Sequence, residues 1–133
     1  MRLFAKPRGN ETQEHLALKG EVCELLRNLG CLVVTEHRNS DVVAYDIRKC
    51  LGFCIEIERT SKNLVRNIRR NVRSGCDFQI IVGLTESAVA RYAKILDQEF
   101  GEESRRDISI IVASDLSEAT IKTLMGGHEN KGK

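Results

Sequence analysis

Two spacings of apolar residues alternate along the chain, and together they predict helices and strands in turn. Apolar side chains recur every three or four positions between residues 11 and 29, which predicts a helix that Gly30 ends. Short apolar runs bounded by polar residues predict strands, and longer amphipathic segments predict further helices. The predicted strands cover 31–36, 41–47, 53–58, 78–82 and 108–112. The later helices cover 59–73, 86–100 and a segment from 115 or 116 to about 125.

The order of these elements predicts an α/β fold. It reads α-β-β-β-α-β-α-β-α, so an antiparallel meander with a hairpin turn at 48–52 precedes strands that are separated by helices. A helix between two strands of one sheet favours a parallel pair. We therefore expect a single-domain sandwich over residues 11–125 with a mixed central sheet. A loose basic segment at 1–10 would precede it, and a flexible tail at 126–133 would follow.

Composition narrows the class of protein without identifying its chemistry. With 133 residues, 41% of them hydrophobic and 30% charged, the chain has the size and balance of one soluble globular domain. No apolar run approaches the ~20 residues of a membrane span, and the first ten residues lack an apolar signal core. We expect no membrane contact and a cytoplasmic location. The five cysteines show no CxxC spacing and are expected to be reduced, structural thiols.

The candidate functional side chains, acidic and basic, are concentrated between residues 53 and 73. Within the strand Cys54-Ile55-Glu56-Ile57-Glu58, alternation places the two glutamates on one face and the two isoleucines on the other. Two carboxylates that converge on one point are a usual way of holding Mg²⁺. The alternative is that both lie on the solvent face of an edge strand, paired with nearby arginines.

A basic helix follows this strand directly. Residues 59–73 contain six basic residues and no acidic one; Thr60 or Ser61 can begin the helix, and Gly75 can end it. On a helical wheel, one side carries Lys62, Arg66, Arg69, Arg70 and Arg73, and the opposite side carries Leu64, Val65, Ile68 and Val72. Like charges without acidic partners repel each other, so a phosphate backbone is the expected partner. A solvated face is the plain alternative.

This succession of elements resembles the PD-(D/E)XK nuclease superfamily, which includes restriction endonucleases and archaeal Holliday junction resolvases. The shared features are a glutamate-bearing first helix, a strand that opens with Ser40-Asp41, a hairpin, the strand Glu56-Ile57-Glu58 and a basic helix. The resemblance covers about residues 11–82. It implies a restriction endonuclease-like fold and hydrolysis of DNA that depends on Mg²⁺ or Mn²⁺.

The resemblance also implies roles for individual acids. Asp41 matches the aspartate that bridges the metal, and Glu56 matches the acidic residue of the second half of the motif. Asp46 is the alternative aspartate and metal ligand, and it would require a shorter hairpin. Glu14 or Glu21, seven residues apart and hence on one face of the first helix, matches the helix glutamate of resolvase-like members.

The chain departs from the superfamily pattern at two positions. Ser40 stands where the motif has a proline, which shapes the backbone rather than the chemistry, and Glu58 stands where it has a lysine. In some members a glutamate at the second position contacts the metal or its water. In others the lysine has moved, which makes Lys62 the candidate cation. The third interpretation of the missing lysine is that the protein has lost hydrolytic activity.

The resemblance therefore implies a metal-dependent DNA endonuclease in which Asp41, Glu56, Glu58, Glu14 and Lys62 take part in catalysis. A nuclease-fold module that only binds DNA is one alternative, and a regulatory or assembly domain without nucleic acid is another. We expect a preference for DNA structure over DNA sequence, because no recognition helix or aromatic platform stands out. Cutting both strands would favour a symmetric homodimer.

Overall fold

The fold is an α/β domain built on one five-stranded sheet. The computed structural model describes residues 12–35 and 41–128. The helices are α1 (Gln13–Asn28), α2 (Leu64–Arg73), α3 (Glu86–Glu99), α4 (Glu102–Arg106) and α5 (Glu118–Gly126). The strands are β1 (Leu32–Thr35), β2 (Val42–Asp46), β3 (Leu51–Glu58), β4 (Phe78–Gly83) and β5 (Ile108–Val112). None of the helices in the described ranges combines the length and apolar character needed to cross a membrane.

Strand order in the sheet follows the chain, β1-β2-β3-β4-β5, and the sheet is mixed. β1, β2 and β3 form an antiparallel meander, with Val42 opposite Ile55 between β2 and β3. β3, β4 and β5 are parallel, and α2 and α3 make the two crossovers between them. β3 consequently lies at the centre of the sheet, between an antiparallel and a parallel neighbour.

Each face of the sheet is covered by two helices through an apolar layer. On one face, α1 and α5 belong to the same buried cluster as Ile55 and Ile57 of β3. On the other face, α2 and α3 bury a cluster that includes Ile68, Ile81 and Tyr92. Full burial of such a side chain contributes about 1.5–3 kcal/mol, so these two layers hold the helices on the sheet.

The close packing of α3 at Gly83 positions the end of β3. A Cβ at Gly83 would lie 2.9 Å from Val89 Cγ2, which is closer than real Cβ contacts allow. With only hydrogen there, α3 brings the buried Tyr92 hydroxyl to 3.2 Å from the Glu58 carbonyl oxygen, to which it donates. The strand end that carries Glu58 is thereby tied to α3.

The predicted order of the main elements is confirmed, and the differences lie at element ends. Gly30 and Gly75, predicted to end α1 and α2, adopt positive φ just past those helices. The last helix begins at Glu118, two or three residues later than predicted, because the Ser117 hydroxyl accepts from the Thr120 N–H and caps it there. The pattern does not predict α4, since five residues are too short a window for helical periodicity.

Residues 126–128, predicted to belong to a flexible tail, pack on the domain. α5 extends through Gly126, and the His128 ring stacks on Phe78 with centroids 4.0 Å apart. His128 Nδ1 also lies 3.7 Å from Asp107 Oδ1. The rest of the predicted tail and the predicted loose segment at 1–10 lie outside the described residues.

The expectation of five reduced cysteines is wrong for two of them. Cys54 on β3 and Cys76 in the loop before β4 form a disulfide, with their Cα atoms 6.3 Å apart. Sequence spacing does not predict this pair, because the parallel β3–β4 register and the turn after α2 bring the two cysteines together. Cys23 and Cys31 are buried thiols, and Cys50 is an exposed one.

Candidate active site

The β2–β3 register brings two carboxylates together at the end of the hairpin that lies away from its turn. Val42 pairs with Ile55, which places Asp41 beside Glu56. The Asp41 backbone N–H donates to Glu56 Oε1 at 3.3 Å, and Asp41 Oδ2 accepts from the Ile57 N–H at 2.9 Å. Both side chains are buried, with Asp41 3% and Glu56 2% exposed. The two acids form one buried cluster.

α1 contributes two basic side chains to Asp41. His15 and Lys19 lie one helical turn apart. His15 Nε2 is 3.0 Å from Asp41 Oδ1, and Lys19 Nζ is 3.9 Å from the same oxygen. Lys19 is completely buried, and burial of a charge is costly unless an opposite charge lies close. Asp41 is thus an opposite charge close to the buried Lys19.

One side of α2 supplies donors to the glutamates of β3. Asn71 Nδ2 donates to Glu56 Oε2 at 2.7 Å, and Arg70 Nη2 lies 3.2 Å from the same oxygen. Asn67 Nδ2 donates to Glu58 Oε1 at 2.8 Å, and Arg70 Nη1 donates to Asn67 Oδ1 at 3.0 Å. The i, i+3, i+4 spacing puts these three residues on one helix face. The predicted alternation of β3 is confirmed, since its glutamates face α2 and its isoleucines face the other layer.

A polar cavity of about 270 Å³ opens in front of these carboxylates. At roughly 30 Å³ per water, it has room for several water molecules or a phosphate group. Its lining combines acids of β2 and β3 with basic and amide side chains of α1 and α2. The lining residues are His15, Asp41, Glu56, Ile57, Glu58, Asn63, Arg66, Asn67 and Arg70.

The basic residues predicted for the outer side of α2 differ in their exposure and in the residues that they contact. Arg66 and Arg73 are exposed, and Arg66 also lines the cavity. Arg69 is exposed but lies 3.3 Å from Glu99 Oε2, with its guanidinium 5.3 Å above the Phe100 ring centroid. Arg70 points inward to the glutamates. Arg66 is therefore the exposed arginine that connects the outer surface of α2 to the cavity.

Three predicted site residues do not join the cluster. Lys62 is exposed ahead of α2, and Glu14 and Glu21 are exposed on α1. None of the three is among the described residues that line the cavity. On α1 the reason is helical phase, because the side turned to the sheet presents His15 and Lys19 instead of the glutamates.

Asp46 lies at the other end of β2, away from the cluster. It is paired with Leu51 in the register, and its Oδ1 accepts from the N–H groups of Arg48 and Lys49 at 3.2 and 3.4 Å. These are the contacts of an aspartate that begins a turn. The structure therefore does not bring Asp46 to a metal site with Glu56.

Burial and the negative charge of Asp41 raise the pKa of both glutamates. Burial, together with the negative charge of Asp41, raises the pKa of Glu56 to about 8, against the opposing effects of the Asn71 hydrogen bond and Arg70. Burial also raises the pKa of Glu58, although the hydrogen bond from Asn67 opposes it. At neutral pH the Glu56 carboxyl therefore holds a proton unless a cation takes its place.

The donor chemistry of the cluster fits a hard divalent cation such as Mg²⁺. Asp41 and Glu56 offer carboxylate oxygens beside the polar cavity, and Mg²⁺ is commonly held by one or two carboxylates together with waters and substrate phosphates. A cation would also relieve the repulsion between these acids. Within residues 12–35 and 41–128, no three His, Cys, Asp or Glu side chains are grouped so that they could hold a metal ion.

The sequence interpretation missed the polar residues that surround the carboxylates, namely His15, Lys19, Asn67, Asn71 and Gln79. Lys19 had a detectable signal, because it lies on the helical stripe of Val22 and Leu26, where a charge requires a partner. The packing predicted for α2 is wrong at Val72, which is 56% exposed. Asn71 takes the buried place instead, and an asparagine carries no such signal in the sequence.

Comparison with known proteins leaves the family of this chain open. No protein-family model matches it, and neither a curated protein nor a solved structure matches it significantly.

Proposed function

We propose that this protein is a metal-dependent endonuclease that hydrolyses phosphodiester bonds of DNA on a restriction endonuclease-like fold. The observation that carries the proposal is one polar cavity in which buried Asp41, Glu56 and Glu58 share the lining with Arg66 and Arg70. Acids that can hold a cation, beside guanidinium groups that can bind a phosphate, are what metal-assisted phosphodiester hydrolysis requires. The resemblance to the PD-(D/E)XK superfamily supports the same function.

Asp41 and Glu56, with the Ile57 carbonyl, are the groups proposed to hold Mg²⁺ or Mn²⁺. When bound, such a cation polarises the scissile phosphate and lowers the pKa of the attacking water. Asp41 is held for this role by the Ile57 N–H on one oxygen and by His15 and Lys19 on the other. Glu56 must give up its proton on metal binding, since only the carboxylate is a ligand.

Glu58 and the arginines of α2 take the remaining roles in the proposal. Asn67 fixes Glu58 at the cavity wall, where its carboxylate can accept a hydrogen bond from the attacking water and orient it. Because Glu58 replaces the motif lysine, the positive charge for the phosphate must come from another residue. Arg66 is the proposed source, since it is exposed and lines the cavity. Lys62 and Arg73, both exposed, would contact the DNA backbone farther along.

The second candidate is a DNA-binding module of the same fold without hydrolysis. It is favoured by the hydrogen bonds that already engage both Asp41 and Glu56, and by the glutamate in place of the motif lysine. The exposed arginines would still bind phosphates in that case. A regulatory or assembly domain without nucleic acid would instead show no salt-dependent binding to DNA.

Cleavage of labelled linear, nicked and four-way-junction DNA with Mg²⁺ or Mn²⁺ tests the proposal. The wild type is compared with Glu56→Ala and with Glu102→Ala, an exposed glutamate of α4 that serves as the control. We expect metal-dependent cutting by the wild type and the control, and none by Glu56→Ala. If all three bind DNA alike and none cuts, the DNA-binding module is correct. If none binds DNA, both nucleic-acid functions are wrong.

A symmetric homodimer is part of the proposal, because two cuts across a duplex or junction require two sites. Analytical ultracentrifugation of the full chain, alone and with junction DNA, measures the assembly. Two protein chains per junction, with paired cuts, are the expected result. A single chain per junction that leaves only nicks would contradict the dimer.

A further inference from the structure

Two amide side chains are buried between α2 and β4, beside the candidate site. Asn71 is 0% exposed and Gln79 is 2% exposed, and Gln79 interrupts the otherwise apolar strand β4. A buried amide costs free energy unless its hydrogen bonds are made. An apolar pair of similar shape can fill such a space with little or no loss of stability. The presence of both amides therefore points to a role beyond packing.

The hydrogen bonds of this pair form one chain between the backbone of α2 and Glu56, and Asn71 donates to both of its neighbours in that chain. Gln79 Nε2 donates to the Ile68 carbonyl oxygen at 3.0 Å. A carbonyl oxygen only accepts, so Gln79 presents its NH₂ group to α2 and its own oxygen to Asn71. Asn71 Nδ2 then donates to Gln79 Oε1 at 3.0 Å and to Glu56 Oε2 at 2.7 Å. The helix backbone thus sets the orientation of both amides and presents a donor to Glu56.

This chain of hydrogen bonds fixes which oxygen of Glu56 faces Asp41. Asn71 and Arg70 hold Oε2, so Oε1 is turned to the Asp41 backbone N–H at 3.3 Å. The Arg70 side chain is 24% exposed, whereas Asn71 is fully buried and held from behind by Gln79. Asn71 is therefore the more rigid of the two partners of Oε2.

We propose that Asn71 and Gln79 are positioning residues that hold the Glu56 carboxylate in the orientation that binds the metal. The inference rests on the proposed metal-dependent function. Neither amide is among the described residues that line the cavity, so both act through Glu56 rather than on DNA. Residues that orient a metal ligand in this way typically contribute roughly 10–100-fold to metal affinity.

The test measures Mn²⁺ binding to the full chain, without DNA, by isothermal titration calorimetry. Asn71→Leu removes the donor to Glu56 at similar size, and Gln79→Met removes only the group that orients Asn71. Ile121→Val on α5 is the matched control, because it weakens the apolar layer on the opposite face and leaves both amides in place. We expect Kd to rise on the order of 10–100-fold in Asn71→Leu and by less in Gln79→Met, and to stay unchanged in the control.

Cleavage kinetics give a second readout that a purely structural role would not change. At Mn²⁺ concentrations that saturate each variant, kcat should fall in Asn71→Leu while KM for DNA stays at the wild-type value. The reason is that the exposed arginines of α2 are untouched by the substitution. A structural role alone would lower the melting temperature without changing the Mn²⁺ Kd.

The outcomes separate this inference from the proposed function. If the wild type binds Mn²⁺ and the Asn71 and Gln79 variants bind it equally well, the positioning role is wrong and the nuclease proposal stands. If the wild type binds no Mn²⁺, the proposed function and the positioning role are both wrong. If circular dichroism shows that Asn71→Leu does not fold, Gln79→Met decides, because it keeps the size of the glutamine and the donor of Asn71.

Discussion

Asp41 and Asp46 lie at opposite ends of the same strand, and both are buried acids. Their partners differ in how far away they lie along the chain. Asp46 accepts from backbone N–H groups only two and three residues ahead of it. Asp41 is contacted by His15 and Lys19 of α1 and by the N–H of Ile57, all distant in the chain. The partners of Asp46, which include the Arg48 guanidinium 4.0 Å away, come from its own turn, whereas donors from a distant helix and strand hold Asp41 where burial would otherwise disfavour its charge. The partners therefore distinguish a candidate ligand from a structural aspartate.

Exchange of each aspartate for asparagine tests this difference most strongly. Under the proposed function, Asp41→Asn should reduce metal-dependent cleavage by on the order of 10³-fold, because the proposed metal ligand and several kcal/mol of charge stabilisation would be lost. Asp46→Asn should stay close to the wild-type rate, since its contacts belong to the turn. The measurement is the initial rate of DNA cleavage at saturating Mn²⁺. Equal losses in the two variants would contradict the distinction.

The pH dependence of metal binding is the next largest effect. Because burial raises the pKa of Glu56 to about 8, the folded protein holds a proton there that Mn²⁺ would have to displace in the proposed function. Apparent Mn²⁺ affinity should rise roughly tenfold per pH unit from about pH 6 to 8 and then level off. Calorimetric titrations at several pH values measure it. Asp46→Asn should keep this profile and Glu56→Gln should lose it, while a flat profile in the wild type would be inconsistent with proton displacement.

Two exposed arginines of α2 test the proposed contact with DNA, and the expected loss of affinity is smaller than the effects above. Arg66→Ala should weaken DNA binding several-fold and lower the salt dependence by about one phosphate contact. Arg69→Ala should do less, because its guanidinium is already engaged by Glu99 and Phe100. Fluorescence anisotropy over a salt series measures both variants. A larger loss in Arg69→Ala than in Arg66→Ala would place the DNA elsewhere on the helix.

Thermal stability gives the smallest effect, and the sign of the change in Tm separates Glu56 of β3, beside Asp41, from Asp46 at the end of β2. Glu56 loses its proton near pH 4.5 when unfolded but only near pH 8 when folded, so the folded state loses stability as the pH rises between these values. In metal-free buffer, Glu56→Gln should raise Tm relative to the wild type by several degrees more at about pH 8 than at about pH 5. Asp46→Ala should lower Tm by a few degrees at both values, because its turn loses the acceptor of the Arg48 and Lys49 N–H groups.

Scanning calorimetry measures these shifts. Glu99→Gln, on an exposed glutamate, is the control and should show no difference between the two pH values. A shift in Glu56→Gln that does not depend on pH would mean that the carboxyl is ionised throughout this range.

The sequence predicts those parts of the site that depend on local geometry. Strand alternation is a local property, so Glu56 and Glu58 could be placed on one face from the sequence alone. The residues of α1 could not be placed, because successive helical positions differ by about 100° and tertiary packing decides the final rotation. The family resemblance points to Glu14 or Glu21, whereas His15, the neighbour of Glu14, is the residue that reaches Asp41.

Contacts between the helices and the sheet could not be predicted from the sequence either, because they too depend on tertiary packing. Asn71 and Gln79 meet only because α2 packs on β4. The periodic pattern of neither element predicts that contact. The Cys54–Cys76 disulfide likewise joins two elements that are brought together by the parallel register. Periodicity predicts which elements form, whereas contacts across layers depend on packing that a single sequence does not display.

The central position of β3 also places the candidate site in the part of the sheet that opens last. With hydrogen-bonded neighbours on both sides, most β3 amides exchange with solvent only when the sheet opens. The Ile57 N–H differs, because its acceptor is the Asp41 side chain rather than the backbone of β2. Deuterium exchange at that amide therefore reports on one contact, so local opening of the site can be followed separately from global unfolding.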